Sequence, residues 1–157
     1  MIKLNDKLPE ATMQYFNNGD MVTASTADLF NNKKVVLFAV PGAFTPTCSN
    51  THLPGYVVNA DAFFEKGIDS IICLSVNDAF VMDAWGKSQN AENIIMLADG
   101  SAQFTKALGL DMDTALFGGV RSTRYAMVVD NGKVVTLNIE APKEFKVSDA
   151  ETILNTL

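Results

Sequence analysis

Cysteine is scarce in this chain: Cys48 and Cys73 are the only two among 157 residues. Two are too few for a disulfide scaffold, and their separation rules out a Cys-x-x-Cys exchange motif. Histidine is scarcer, with His52 alone. One histidine and two scattered cysteines give no metal-ligand spacing, so no metal and no cofactor are expected. The seven methionines read as gap-fillers in a core. Basic residues number 12 against 18 acidic ones, and close basic pairs such as Lys33-Lys34 and Arg121/Arg124 are few. A chain with net charge −6 and no basic face is not a nucleic-acid binder, nor does it suit an anionic membrane surface. No apolar run approaches the ~18 residues a spanning helix needs. Repeats, low-complexity tracts and Gly/Pro/Ser linkers are missing, so residues 1–157 are expected to form one domain. Met1 to Glu10 has no apolar signal core, which sets the expectation of a cytoplasmic protein.

Hydrophobic residues make up 48% of the chain and charged ones 19%, a balance that favours a packed core over disorder. Apolar runs alternate with helical stretches. Lys34–Val40 and Ser70–Val76 read as buried strands, and Ile94–Ala98 as a shorter one. The spacing predicts helices over Pro46 to about Lys66, with Pro54-Gly55 kinking or interrupting it, and over Ala79 to about Ser88 behind Asn77-Asp78. A short helix is expected over Ser101–Leu108 with Gly109 at C′, and a last one from a Ser148 cap to about Thr156. Asn131-Gly132 joins Tyr125–Val129 and Lys133–Ile139 as a hairpin, and Asn18-Gly19 does the same for a small hairpin within Met13–Ala24. Strands alternating with helices imply an α/β sheet covered on both faces, and the late hairpin adds antiparallel strands. The pattern fits a thioredoxin-like architecture without excluding other α/β folds.

The segment Val40-Pro41-Gly42-Ala43-Phe44-Thr45-Pro46-Thr47-Cys48-Ser49 joins a buried strand to a helix. With Thr45 as N-cap and Pro46 at N1, Cys48 takes N3, in the turn where amides lack helical partners. The thiolate is the reactive form of cysteine, and a helix end favours it by about 0.3–1 kcal/mol, up to about 2 when partly buried. Anything larger requires a nearby cation. Thr45 lies three residues before Cys48, within reach of the sulfur or of an oxygen bound to it. Pro41 and Pro46 stiffen the loop and shield the sulfur. His52, one turn after Cys48, is a possible base, although packing or a dimer interface explains it better.

PGAFTPTCS followed by THLPGY resembles the peroxiredoxins, in particular the type II (peroxiredoxin-five-like) group. The likeness continues through CLSVNDAFVMDAWGK, LADGSAQFTKALGLDMD and RSTRYAMVVDNGKV, covering nearly the whole chain in order. It implies an α/β, thioredoxin-like fold: a central mixed sheet flanked by helices, with extra N-terminal strands. It implies a thiol-dependent peroxidase that reduces hydrogen peroxide and alkyl hydroperoxides through a cysteine sulfenic acid. By the same resemblance Cys48 matches the peroxidatic cysteine, and Thr45 the threonine that helps bind peroxide. Pro41 matches the proline packed over the site, and Arg124 the arginine that supports thiolate and transition state. Members of the group commonly form dimers, so a homodimer is expected.

Spacing alone does not choose between Arg121 and Arg124; only the resemblance favours Arg124, leaving Arg121 as a supporting residue. Phe44, Leu116 and Phe117 are candidates to line an apolar substrate pocket, although core packing explains them equally well. No cysteine follows Cys73, so Cys73 is the only internal thiol that could resolve a sulfenic acid, and it sits in a buried strand where thiols are inert. A one-cysteine cycle with an external thiol reductant, either glutathione/glutaredoxin or thioredoxin, is the expectation. A disulfide reductase is disfavoured by the absent dithiol motif. A redox-switched chaperone or sensor on the same fold is the alternative of a different class.

Overall fold

The computed structural model describes residues 1–157. Seven strands form one sheet in the order β2-β1-β5-β4-β3-β8-β9. At its centre β3 (Lys34–Ala39), β4 (Ser70–Ser75) and β5 (Ile95–Ala98) run parallel. The hairpin of β1 (Thr12–Asn17) and β2 (Asp20–Ser25) pairs antiparallel with β5 through Gln14 and Ala98. On the other side β8 (Tyr125–Asp130) and β9 (Lys133–Ile139) close the sheet, also antiparallel. Both hairpins turn on two residues of positive φ, Asn18-Gly19 and Asn131-Gly132, the conformation that type I′ turns demand.

The period of two along β3 divides the core. Val36, Phe38 and Val40 face one way, into a cluster with Cys48, Leu53, Tyr56, Phe63, Trp85 and Ile153. These come from α2 (Leu53–Glu65), α3 (Ala79–Ser88) and α5 (Ala150–Leu154) and from the turn preceding α2. Val35, Leu37 and Ala39 face α1 (Thr26–Phe30) and α4 (Gln103–Leu108), against Phe30, Phe104 and Leu108. A small separate ribbon pairs β6 (Asp111–Asp113) with β7 (Val120–Ser122). No helix is long and apolar enough to cross a membrane.

The expected strands all form. Two helical expectations need correction, and one helix lay outside them. The chain is helical from Pro46 to Glu65, and the interruption expected at Pro54-Gly55 falls about one turn earlier. There the turn Cys48–His52 widens to a π-helix, and the Leu53 N–H reaches back to the Cys48 carbonyl. A wider turn removes the clash a proline ring has with the carbonyl four residues earlier, and the missing Pro54 N–H is no longer needed. The last helix is capped by Asp149, not Ser148: its carboxylate accepts from the Thr152 N–H. The Ser148 hydroxyl is taken by Glu140 at 2.7 Å. Helix α1 went unforeseen although its capping box is explicit, with Ser25 and Asp28 bonding each other's backbone N–H.

Gly109 ends α4 with φ +74, and a Cβ there would lie 2.8 Å from the Met1 Cα. Left-handed backbone and a close backbone neighbour act together. Gly109→Ala is expected to destabilise the protein by roughly 1–3 kcal/mol, read as a lower urea midpoint at unchanged slope.

Candidate active site

Cys48 stands at the third position of the helix that starts at Pro46; the Thr45 carbonyl accepts the Ser49 N–H at 2.9 Å, marking Thr45 as the backbone N-cap. The Thr45 hydroxyl does not cap. It donates to the Gly42 carbonyl at 2.7 Å, folding the loop onto itself. Gly42 permits this approach, since a Cβ there would meet Thr45 Cγ2 at 3.1 Å and Arg121 Nη1 at 3.5 Å. Phe44, between them, holds φ +63, a left-handed conformation that bulky residues rarely adopt. Asn77 fastens the loop from the next strand end: its Oδ1 accepts from Ala43 N at 3.0 Å and from Ser75 Oγ at 2.7 Å.

Arg124 lies 76 residues from Cys48 in sequence. The sheet removes that distance. In the β3–β8 pairing Tyr125 sits opposite Ala39, so Arg124 emerges where β3 gives way to the Pro41 loop. Its Nη2 donates to Cys48 Sγ at 3.1 Å. Its Nη1 donates to His52 Nδ1 at 2.8 Å, and its guanidinium carbon lies 5.8 Å from the Phe145 ring centroid. No carboxylate pairs with it; the chain's ion pairs are Lys87–Asp83 at 2.9 Å and Lys146–Glu144 at 3.4 Å, both at the surface. At 3.1 Å and an effective dielectric of about 20, a thiolate–guanidinium pair attracts by roughly 5 kcal/mol, more than the helix end supplies.

Arg121 points elsewhere. Its Nε donates to the Gly118 carbonyl at 3.1 Å and its Nη1 to the Val76 carbonyl at 3.0 Å. It ties the loop before β7 to the loop after β4, beside Gly42. Pro41 is half-buried at the end of β3. Phe44, Leu116 and Phe117 are 56%, 104% and 64% exposed, so none belongs to the core. Two surface cavities, of about 350 and 330 Å³, are lined neither by them nor by Cys48. Cys48 has no exposed surface. No group of three or more His, Cys, Asp or Glu side chains is placed to hold a metal ion.

A strand-end loop, a helix-start thiol and a remote unpaired guanidinium thus meet at one sulfur. The family model described as Redoxin matches residues 3–154. Peroxiredoxin-2D of Arabidopsis thaliana is 48% identical, over 99% of this chain and 98% of its own. The reduced Prx3 of Vibrio vulnificus, solved in complex with H2O2, superposes with a TM-score of 0.97 at 63% identity, covering 99% of both chains. The antioxidant protein of Plasmodium falciparum, a 1-Cys peroxiredoxin, does so at 0.93 and 33% identity, covering 99% of this chain and 98% of that one. The chain belongs to the peroxiredoxins, in their type II (peroxiredoxin-five-like) group. It is a thiol-dependent peroxidase on a thioredoxin-like fold.

In this peroxiredoxin two residues near the sulfur carry more than the sequence disclosed. His52 is fully buried, with its Nε2 3.0 Å from the Ser148 carbonyl. Burial, and secondarily the Arg124 charge, push its imidazole down to about 3, so it is neutral throughout the physiological range. Glu140 is buried too. Burial raises its carboxyl, but hydrogen bonds from Ser148 Oγ and from the backbone N–H groups of Lys146, Val147 and Ser148 outweigh that and hold it below its usual value. Its signal in sequence was faint: an acidic residue between Ile139 and Ala141 at the end of a strand.

The unfolded chain binds a proton at His52 near pH 6.5, while the folded chain does not until about pH 3. His52 therefore costs no stability above pH 6.5, and stability falls by about 1.4 kcal/mol per pH unit below it. Glu140 adds a further loss below the ordinary carboxylate range. Urea unfolding between pH 6.5 and 4.5 should show this slope in the native chain and lose it in His52→Asn.

Proposed function

We propose that Cys48 is the peroxidatic nucleophile, with Arg124, Thr45 and Pro41 forming its reaction site, and that the protein reduces hydrogen peroxide and alkyl hydroperoxides. The observation that carries the proposal is the Arg124 Nη2–Cys48 Sγ contact of 3.1 Å. The reaction it serves is attack of the thiolate on the distal oxygen of ROOH. An S–O bond forms, the O–O bond breaks, and ROH leaves after taking up a proton. Negative charge moves from sulfur to the departing oxygen, and a guanidinium already beside the sulfur stabilises both ends of that shift. Thr45 donates its proton to Gly42, so its oxygen lone pairs are left to accept the peroxide O–H. Pro41 starts the loop that covers the sulfur. Phe44, Leu116 and Phe117, apolar and exposed, are proposed to receive the organic part of an alkyl hydroperoxide.

The sulfenic acid is proposed to be resolved by an external thiol, glutathione/glutaredoxin or thioredoxin, in a one-cysteine cycle. Cys73 is fully buried in β4, and burial pushes its thiol well above the usual range, leaving it unionised and unreactive. The incoming thiol condenses with the sulfenic acid and releases water; a second thiol then frees Cys48 as the disulfide leaves. A homodimer is proposed on the group's habit. A reducing compartment, the cytoplasm first, is proposed on the two free cysteines.

Arg124→Ala is expected to lower the second-order rate constant for peroxide by about 10²–10³, the loss typical of a single charge-stabilising donor. It should also slow iodoacetamide labelling of Cys48 at neutral pH. Stopped-flow fluorescence and mass spectrometry read the two effects. After one peroxide equivalent without reductant, intact mass should show a sulfenic acid, which added glutathione converts to a mixed disulfide, and Cys48→Ser should show neither. A dominant Cys48–Cys73 disulfide within one chain would overturn the external cycle.

A further inference from the structure

We propose that His52 is a positioning residue of this peroxidase: an uncharged acceptor that fixes the Arg124 guanidinium against the Cys48 sulfur, itself aimed by the Ser148 carbonyl. The inference rests on the reading of Cys48 and Arg124 given above.

The partners leave the ring one arrangement. Nδ1 lies 2.8 Å from Arg124 Nη1, and a guanidinium nitrogen only donates, so Nδ1 must accept. Nε2 lies 3.0 Å from the Ser148 carbonyl, which only accepts, so Nε2 must carry the proton. An imidazolium would set an N–H against the guanidinium, and the other tautomer would fail at both ends. Neutrality of the ring down to about pH 3 agrees with that arrangement.

The guanidinium is thereby held by both of its terminal nitrogens, Nη2 on the sulfur and Nη1 on the ring. A carboxylate in the place of His52 would hold Arg124 as firmly and cancel its charge. Imidazole holds it and leaves the charge to the sulfur. The support continues outward. The Ser148 carbonyl also accepts the Tyr56 hydroxyl at 2.8 Å, and Ser148 N and Oγ both bond Glu140. The π-turn Cys48–His52 is what sets the sulfur and the ring on either side of one planar group.

A packing role alone is the competing account, since His52 also lies against Phe38, Tyr56 and Phe145 at centroid distances of 4.9, 5.7 and 4.9 Å. Three substitutions separate the two. His52→Phe keeps a ring without an acceptor. His52→Gln keeps a donor for Ser148. His52→Asn keeps an acceptor where Nδ1 stands. Each variant is assayed for the second-order rate constant with hydrogen peroxide, for the pH profile of Cys48 alkylation, and for its thermal midpoint. His52→Phe and His52→Gln are expected to lose about ten- to a hundredfold in rate and to move the alkylation profile to higher pH, while His52→Asn recovers most of both. Rates and profiles that follow the thermal midpoint instead of the acceptor, or a His52→Phe within twofold of the native chain, would overturn the proposal. If His52→Phe does not fold, the comparison of Asn with Gln decides. Failure of the underlying reading looks different: Arg124→Ala would then leave peroxide reduction and alkylation unchanged.

Discussion

The Arg124 guanidinium has a sulfur, an imidazole and an aromatic face for neighbours and no carboxylate. That unneutralised charge is the constraint around which the rest is arranged. A half-buried arginine in an ordinary protein finds an acid, which lowers its energy and spends its field. Here each neighbour accepts a hydrogen bond or offers a π-face without carrying a formal negative charge, until the thiol ionises. The thiolate is then the one anion within hydrogen-bond reach of the cation. Glu140 shows how narrowly this is kept. Its carboxylate lies in the adjoining segment, yet it is turned onto the Lys146, Val147 and Ser148 amides and the Ser148 hydroxyl. It organises the support of Arg124 while staying hydrogen-bonded elsewhere.

The helix that carries Cys48 is shaped by a residue six positions later. Pro54 cannot donate, and in a regular α-helix its ring would press on the carbonyl of Asn50. Widening one turn resolves the conflict and keeps the helix intact from Pro46 to Glu65. The same widening displaces His52 relative to Cys48, and both side chains reach one guanidinium. A local steric necessity and the geometry of the site therefore have one origin. The loop before the helix is tightened in a comparable way, with Phe44 at positive φ, Gly42 too small to obstruct Thr45, and Asn77 gripping Ala43 from the end of the neighbouring strand.

Much of this was legible in the residues. The strands of the sheet, both Asn-Gly hairpins and Gly109 as a helix stop follow from short-range rules, because a two-residue period and a demand for positive φ are written locally. Cys48 at the third helical position follows from Thr45-Pro46 for the same reason. Arg124 was a different matter: its place beside the sulfur depends on Tyr125 pairing with Ala39, a long-range register no spacing discloses. His52 looked like a packing residue because its chemistry lies in which partner faces each ring nitrogen, and both partners, Arg124 and Ser148, are distant in sequence. Ser148 read as a helix cap because serine usually is one; tertiary structure gave the hydroxyl to Glu140 and the cap to Asp149.

Complete burial of Cys48 bears on how such a site works. A sealed sulfur meets no oxidant until a neighbouring group moves, so access and activation are set by different parts of the molecule. Activation belongs to the rigid side: β3 and β8 fix Arg124, and the segment from Glu140 to Ser148 fixes His52. On the other side the Pro41–Thr45 loop holds Phe44 at positive φ and presents an exposed ring 6.5 Å from that of Trp85. Strained, partly exposed loops open at lower free energy than paired strands do.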